Sequence, residues 1–177
     1  EGQGDTTFLA VADDGGLVVS LITSVFGDFG SHLGVPALGG PIHNRATTLR
    51  MVRQQPRPGK PPHTTIPAMV TDGDSVVCAL GVAGGLMQPQ AQVQLLARML
   101  VEGMAPQAAI DAPRFKIMFG GDVVLEPGHP LAASMPGAEG KAPGPEGFGA
   151  AQVVGRFGGD DVLAGADPRR GGVAATL

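Results

Sequence analysis

The chain has 177 residues, a formal charge of −4, 43% hydrophobic residues, 29 glycines and 16 prolines, and neither Trp nor Tyr. That length and apolar fraction suit one domain with a core of small aliphatic groups, and so much glycine and proline points to a fragment that leans on a partner. Only 12 Lys plus Arg, with no basic stripe, exclude the electrostatics of nucleic-acid binding, and no apolar run approaches the length of a membrane span.

In chain order, "TTFLAVAD" reads as a strand ended by the turn signal Asp13-Asp14-Gly15-Gly16, and "LVVSLITS" follows, so residues 7 to 24 are expected to form a hairpin. The glycine-rich stretch "VFGDFGSHLGVPALGGPIHNRATT" and the proline-stiffened "RQQPRPGKPPH" are expected to be loops. A second hairpin is expected from about Ile66 to Val82, around the turn "TDGD". Its second strand holds Cys78, the single cysteine, which reads as a small core residue and fits a reducing compartment.

A helix is expected from near Pro89 to near Gly103, because Val93, Leu96, Leu100 and Met104 recur at helical spacing with Leu95 and Met99 alongside. Pro106 opens a short helical turn that Pro113 ends. Beyond it lie a strand in "VVLEPG", a Gly/Pro-rich segment from Pro136 to Gly149, and a last hairpin turning around Gly158-Gly159-Asp160. Strands, helix, strands make a layered α/β (α+β) domain with no internal repeat or linker.

The chemistry-bearing residues narrow quickly. His32, His43, His63 and His129 are scattered and show no metal-ligand spacing, so no metal is expected. The serine-hydrolase elbow G-x-S-x-G and the phosphate loop are absent, and no cofactor is expected. What remains is Thr6, after Asp5 and at the start of a strand, together with the pair Gly84-Gly85 between a strand and a helix. A threonine hydroxyl needs a base, and cleavage just before the residue lets its own α-amino group, with an ordinary pKa of roughly 8, serve. Two successive glycines can turn free N–H groups toward a developing oxyanion. Each feature also has a plain reading: Thr favours strand starts, and paired glycines make turns.

The stretches "DTTFLAVAD", "TSVFGDFGS", "PPHTTIPAMV", "GVAGGLMQPQAQ", "DAPRF" and "AGADPRRGGVAA", in that order, resemble the small subunit of the gamma-glutamyltransferase family of N-terminal-nucleophile hydrolases nearly end to end. The resemblance implies a precursor that cuts itself before a threonine into a large and a small subunit sharing an αββα sandwich. Residues 1–5 would then be precursor remaining before a cleavage point between Asp5 and Thr6, and residues 6–177 the small-subunit half. It implies Thr6 as nucleophile, Ser24 as its supporting hydroxyl, and Gly84 with Gly85 as the oxyanion hole. With "EGQGD" still ahead of Thr6, the chain as written would be an uncut form, and a non-catalytic binding subunit is the rival reading.

Where glutamyl transferases resemble one another in "TTH", in an Asn in the loop after the second strand, and in "NNQMDD", this chain has Phe8, Phe26 and "HNRATT". Arg45 falls where a glutamine would hold the donor's ammonium, and Thr48 where an aspartate would. His63-Thr64-Thr65 replace the "SSM" that helps hold the donor carboxylate. A cation there repels an ammonium and favours an anion. The pattern looks more like the amide-hydrolase branch, with a related carbon–carbon bond hydrolase branch of alkylproline pathways, a gamma-glutamyl transferase and a cephalosporin-acylase-like enzyme as alternatives. The expected substrate is a small carboxylate-bearing molecule contacted by Arg45, Asn44, His63 and Thr64. The expected partner is the large subunit of the same precursor, in a heterodimer that could pair again, with a cytoplasmic location, or a periplasmic or secreted one if the large subunit carries a signal peptide.

Overall fold

The computed structural model describes residues 5–48, 64–118, 120–140 and 147–176. Strands β1 (Asp5–Ala12) and β2 (Val18–Phe26) form the first hairpin as expected. Two short strands, β3 (Gly34–Val35) and β4 (Gly40–Pro41), close the glycine-rich loop on itself. Strands β5 (Ala68–Asp72) and β6 (Ser75–Ala83) form the second hairpin. Helix α1 (Gln88–Leu96) runs into a π turn (Ala97–Val101), and α2 (Pro106–Asp111) follows. Strands β7 (Phe115–Ile117) and β8 (Val123–Leu125) pair with each other, and β9 (Ala150–Gly155) and β10 (Leu163–Ala166) make the last hairpin.

The main sheet is antiparallel with order β10-β9-β6-β5. β6 reads "SVVCALGVA", apolar on both faces, because it runs through the middle of a stack. On one face Cys78, Leu80 and Val82, with Ala151 and Val153 of β9, meet Met87, Ala91, Leu95 and Met99 of the helical layer and Ala109 and Ile110 of α2. The opposite face is built from small residues, Ala79, Gly81 and Ala83, and the β1–β2 hairpin lies across it. Phe8 seats there, buried: a Cβ placed at Gly81 would lie 2.2 Å from its ring. The described residues thus form three layers, hairpin, sheet and helices.

The helix differs from its sequence expectation in the face it buries. Leu95 and Met99 are in the core with Met87 and Ala91, an i, i+4 series, whereas Val93 is 67% and Leu100 47% exposed. The reason lies in the glutamines of "QPQAQVQ": Gln88, Gln92 and Gln94 are buried because their amides bond backbone at Ile66 and Phe115, which turns Val93 and Leu100 outward while Leu96 and Met104 stay partly buried against the core.

Candidate active site

Alternation along β1 answers why two threonines stand together. Thr7 faces outward opposite Thr23, while Thr6 turns to the sheet side, half-buried, opposite Ser24. The two hydroxyls lie 2.9 Å apart. Ser24 Oγ also accepts the Phe26 N–H at 3.0 Å. With that lone pair occupied, the Ser24 hydroxyl proton is free to go to Thr6 Oγ1.

The hairpin is irregular at this point. Asp5 pairs with Phe26 and Thr6 with Ser24, so Val25 is the extra residue of a bulge facing the Asp5–Thr6 peptide. Phe26 takes φ 78°, a left-handed conformation that a bulky residue adopts only when its surroundings hold it there. Bulges re-aim side chains at strand ends, and this one brings Phe26 N–H onto Ser24.

Two contacts fix how the hairpin lies on the sheet. Phe8 sits over Gly81, and Arg156, just beyond β9, donates to Asp13 O at 3.2 Å. Arg156 N bonds Val77 O, so β1 runs opposite to β6, residue 13 near the 77 end and residue 8 over 81. Two residues back from Phe8, at strand rise, Thr6 comes to the Ala83–Gly84 end of the stack.

At that end the β6–β9 ladder finishes at Ala83 and Ala150, one residue before Gly84. Gly84 O accepts from Met87 N at 2.8 Å, Gly85 takes φ 49°, and α1 begins at Gln88. The N–H groups of such a turn have passed the ladder and precede the helix's own acceptors. A Cβ at Gly84 would come 2.9 Å from Gly149 Cα, so the turn packs backbone on backbone.

Arg45 is 5% exposed in a 3₁₀ turn (Arg45–Thr47). Its Nε donates to Thr64 Oγ1 at 2.9 Å, its Nη2 to Ser24 O at 3.2 Å, and its guanidinium carbon lies 5.9 Å from the centre of the Phe26 ring. Among the described residues no carboxylate pairs with it. Burial therefore lowers its pKa with no charged neighbour to oppose the effect. Thr48, fully buried, bonds Arg45 O through its hydroxyl at 2.7 Å. Asn44 uses its side-chain oxygen to accept Gly27 N–H at 2.8 Å, which fastens the loop to the end of β2. Thr64 is the buried partner of Arg45, and His63 lies outside the described residues.

Beneath the glycine turn is a group that spacing alone did not reveal, although "APRF" and "DPR" carry it. Arg114, fully buried, pairs with Asp167 at 2.6 Å and donates to Phe148 O and Gly149 O. It thereby holds the backbone on which Gly84 rests. Arg169 forks onto Glu126 at 2.8 and 2.7 Å and reaches Asp167 at 3.2 Å. Cys78 is fully buried and its thiol is pushed up to about 11 by burial, as suits a core residue. Among the described residues no three His, Cys, Asp or Glu side chains gather to hold a metal ion.

The sequence profile of the Gamma-glutamyltranspeptidase family matches residues 1–177. The oxamate amidohydrolase proenzyme of Klebsiella pneumoniae is 37% identical over 119 residues, 65% of this chain and 22% of that protein. The glutathione hydrolase-like YwrD proenzyme of Bacillus subtilis is 36% identical over 115 residues, 63% of this chain and 22% of its own length. These matches span only about a fifth of the curated relatives' length. A cephalosporin acylase structure from Bacillus halodurans superposes with TM-score 0.72 at 34% identity, covering 92% of this chain and 32% of the other. The gamma-glutamyltranspeptidase of Pseudomonas nitroreducens superposes with TM-score 0.77 at 21% identity, covering 97% and 99%, which gives the same N-terminal-nucleophile-hydrolase fold. With its whole length matched, this chain belongs to the gamma-glutamyltranspeptidase family.

Proposed function

We propose that the chain is the nucleophile-bearing half of a threonine hydrolase that cuts the amide bond of a small carboxylate-bearing substrate. The observation that carries this reading is Ser24, whose hydroxyl meets Thr6 and whose carbonyl holds a buried Arg45 that has no carboxylate partner among the described residues. A guanidinium out of water without a counter-ion is costly by several kcal/mol, and an anionic substrate offsets that cost where it binds. Among the described residues, two of the five Arg45 N–H donors are engaged, and the others remain for a carboxylate. Since Thr6 and Arg45 both touch one residue, scissile carbonyl and carboxylate stand only a few atoms apart. Short half-amides of dicarboxylic acids have that shape, and the name oxamate amidohydrolase for a 37% identical relative agrees with it.

In the first step Thr6 Oγ1 attacks the carbonyl carbon of Asp5, the C–N bond breaks as the ester forms and frees the Thr6 amine, and water then hydrolyses the ester, releasing the upstream chain with an Asp5 carboxylate and restoring the Thr6 hydroxyl. In turnover that amine takes the Thr6 hydroxyl proton as Oγ1 attacks the substrate amide. The Ser24 hydroxyl donates to Oγ1, and the Gly84 and Gly85 N–H groups receive the oxyanion. The amine returns the proton to departing ammonia, and water cleaves the acyl-threonine ester. Arg45 orients the substrate carboxylate, Thr64 and Asn44 hold Arg45 and its loop, and His63, next to Thr64, assists. No cofactor enters these steps. The large half of the precursor covers the outer face of the hairpin, where Leu9, Val11, Val19 and Leu21 are 41–53% exposed.

Intact mass and N-terminal sequencing of the full precursor test the reading. Expected is a chain beginning at Thr6 in the parent protein, and a Thr6→Ala variant that stays uncut and does not release ammonia from oxamate. Undiminished ammonia release by Thr6→Ala ends the proposal. A parallel panel of a glutamyl anilide and an acyl β-lactam separates the half-amide reading from transferase and acylase alternatives, since Arg45 disfavours the glutamyl ammonium.

A further inference from the structure

The glutamines of α1 make an unusual set of bonds. Gln90 exchanges two hydrogen bonds with the backbone of Ile117, at 2.7 and 3.1 Å, and Gln94 exchanges two with Phe115, at 3.0 and 2.9 Å, so that two amides one helical turn apart act as a strand edge for β7. Gln88 and Gln92, also one turn apart, share the two bonds of a single residue. Gln88 Oε1 accepts Ile66 N–H at 3.0 Å, and Gln92 Nε2 donates to Ile66 O at 2.6 Å. Both polar backbone groups of Ile66 are therefore held by helix side chains.

Ile66 stands two residues after Thr64, the buried partner of Arg45, and just before β5. Gln88 stands three residues after Gly85. The stretch that supplies the proposed oxyanion donors thus also grips the segment that aims the proposed anion-binding side chain. The donor at Ile66 N fixes the orientation of the Gln88 amide, because a flipped amide would set two N–H groups against each other. Its Nε2 is then left buried without a partner among the described residues. A leucine at this position would remove that orphan but strand the Ile66 N–H, so the amide is there for its bond to Ile66 rather than for packing.

We propose that Gln88 and Gln92 are positioning residues for Arg45, setting the distance between the carboxylate-binding guanidinium and the glycine turn and so selecting short anionic substrates. The inference rests on Arg45 binding the substrate carboxylate. Without the clamp, Ile66 and Thr64 shift, Arg45 loses its Nε partner, and the anion is held less tightly. Catalysis at Thr6, which uses none of these bonds, continues.

The test uses the full processed protein with two probes, oxamate and its neutral ester ethyl oxamate. Gln92→Leu is expected to raise KM for oxamate about tenfold, the loss of about one hydrogen bond's net contribution, with kcat within twofold and ethyl oxamate kinetics unchanged. Gln88→Leu should act alike, and Gln92→Leu alone decides the matter if the more deeply buried Gln88 variant does not fold. Gln90→Leu, which removes the same kind of clamp from β7, should leave KM at the parent value. Equal KM in Gln92→Leu and the parent, or an equal rise in Gln90→Leu, overturns the proposal. Arg45→Ala distinguishes the two levels: if it raises KM for oxamate and Gln92→Leu does not, the clamp fails and the anion site stands; if it leaves KM unchanged, both fall.

Discussion

On the proposed reading, Ser24 separates two functions that sit on one residue. Its hydroxyl serves Thr6, while its carbonyl serves Arg45. Ser24→Ala deletes the first and keeps the second, so kcat should fall about 10²-fold, the usual loss of one hydrogen bond to the reacting oxygen, with KM for oxamate little changed. Ser24→Thr should restore most of kcat. Arg45→Lys should show the converse, since a lysine keeps the charge but cannot fork between Thr64 and Ser24: KM should rise about 10- to 100-fold. Steady-state kinetics on the processed enzyme reads both, and parallel changes in kcat and KM for the two variants would contradict the division. Thr6 and Arg45 were legible as residues in the sequence, the first from its place before a strand and the second from its departure from a family pattern. Ser24 beside Thr6 was expected from the resemblance, but the bond of Arg45 to Ser24 O was not, because it depends on a bulge at Val25 and the left-handed turn of Phe26, which cross-strand pairing sets rather than local propensity.

Among elements, the hairpin's seat on the main sheet governs where Thr6 stands. Its approach is permitted by one missing side chain, at Gly81, into which Phe8 packs. Gly81→Val must push the ring away, and since β1 carries Phe8 and Thr6 on one face, Thr6 moves with it. If the chain is cut before Thr6 as proposed, that processing should slow by about 10²-fold or more, as a displacement on the order of 1 Å does to a reacting pair, and mass spectrometry of the maturing precursor measures it. A Phe8→Ala change in the same background should recover part of the rate by vacating the space. Both hairpins, β9–β10 and the helix span were readable from alternation and turn residues. The buried face of α1 was not: periodicity counts apolar side chains, whereas Gln88, Gln92 and Gln94 are drawn inward by backbone groups more than 20 residues distant in sequence. For the same reason β7 escaped notice, a three-residue strand whose one edge is β8 and whose other is supplied by glutamine amides.

For the molecule as a whole, the ion group of Arg114, Asp167, Arg169 and Glu126 ties the helical layer to β9, the end of β10 and the glycine turn. Burial alone would raise the Asp167 pKa, but the charge of Arg114 and hydrogen bonds from Ala151 and Arg169 N–H outweigh it and hold the carboxyl below its ordinary value. Burial likewise opposes ionisation of Glu126, and hydrogen bonds from Arg169 and Arg114 prevail, again lowering the pKa. A carboxyl whose pKa is lower folded than unfolded contributes stability above its unfolded value and loses it as pH falls through the folded one. The urea midpoint should therefore hold steady from neutrality to about pH 5 and fall steeply below about pH 4, where unfolded carboxylates take up protons first. Asp167→Asn leaves Arg114 buried without its counter-charge, and at neutral pH it should cost about 3–5 kcal/mol. The variant must also lose pH dependence, because one of the two titrating carboxyls is gone, so its acid limb should be shallower than the parent's. If the two midpoint curves run parallel from pH 7 to pH 3, the acid sensitivity comes from elsewhere in the fold. Kinetics separates support of the turn from stability alone. Arg114 also grips Phe148 O and Gly149 O, against which Gly84 packs, so on the proposed reading kcat of Asp167→Asn measured well below its melting temperature should fall, while KM for oxamate, assigned to Arg45, should not rise.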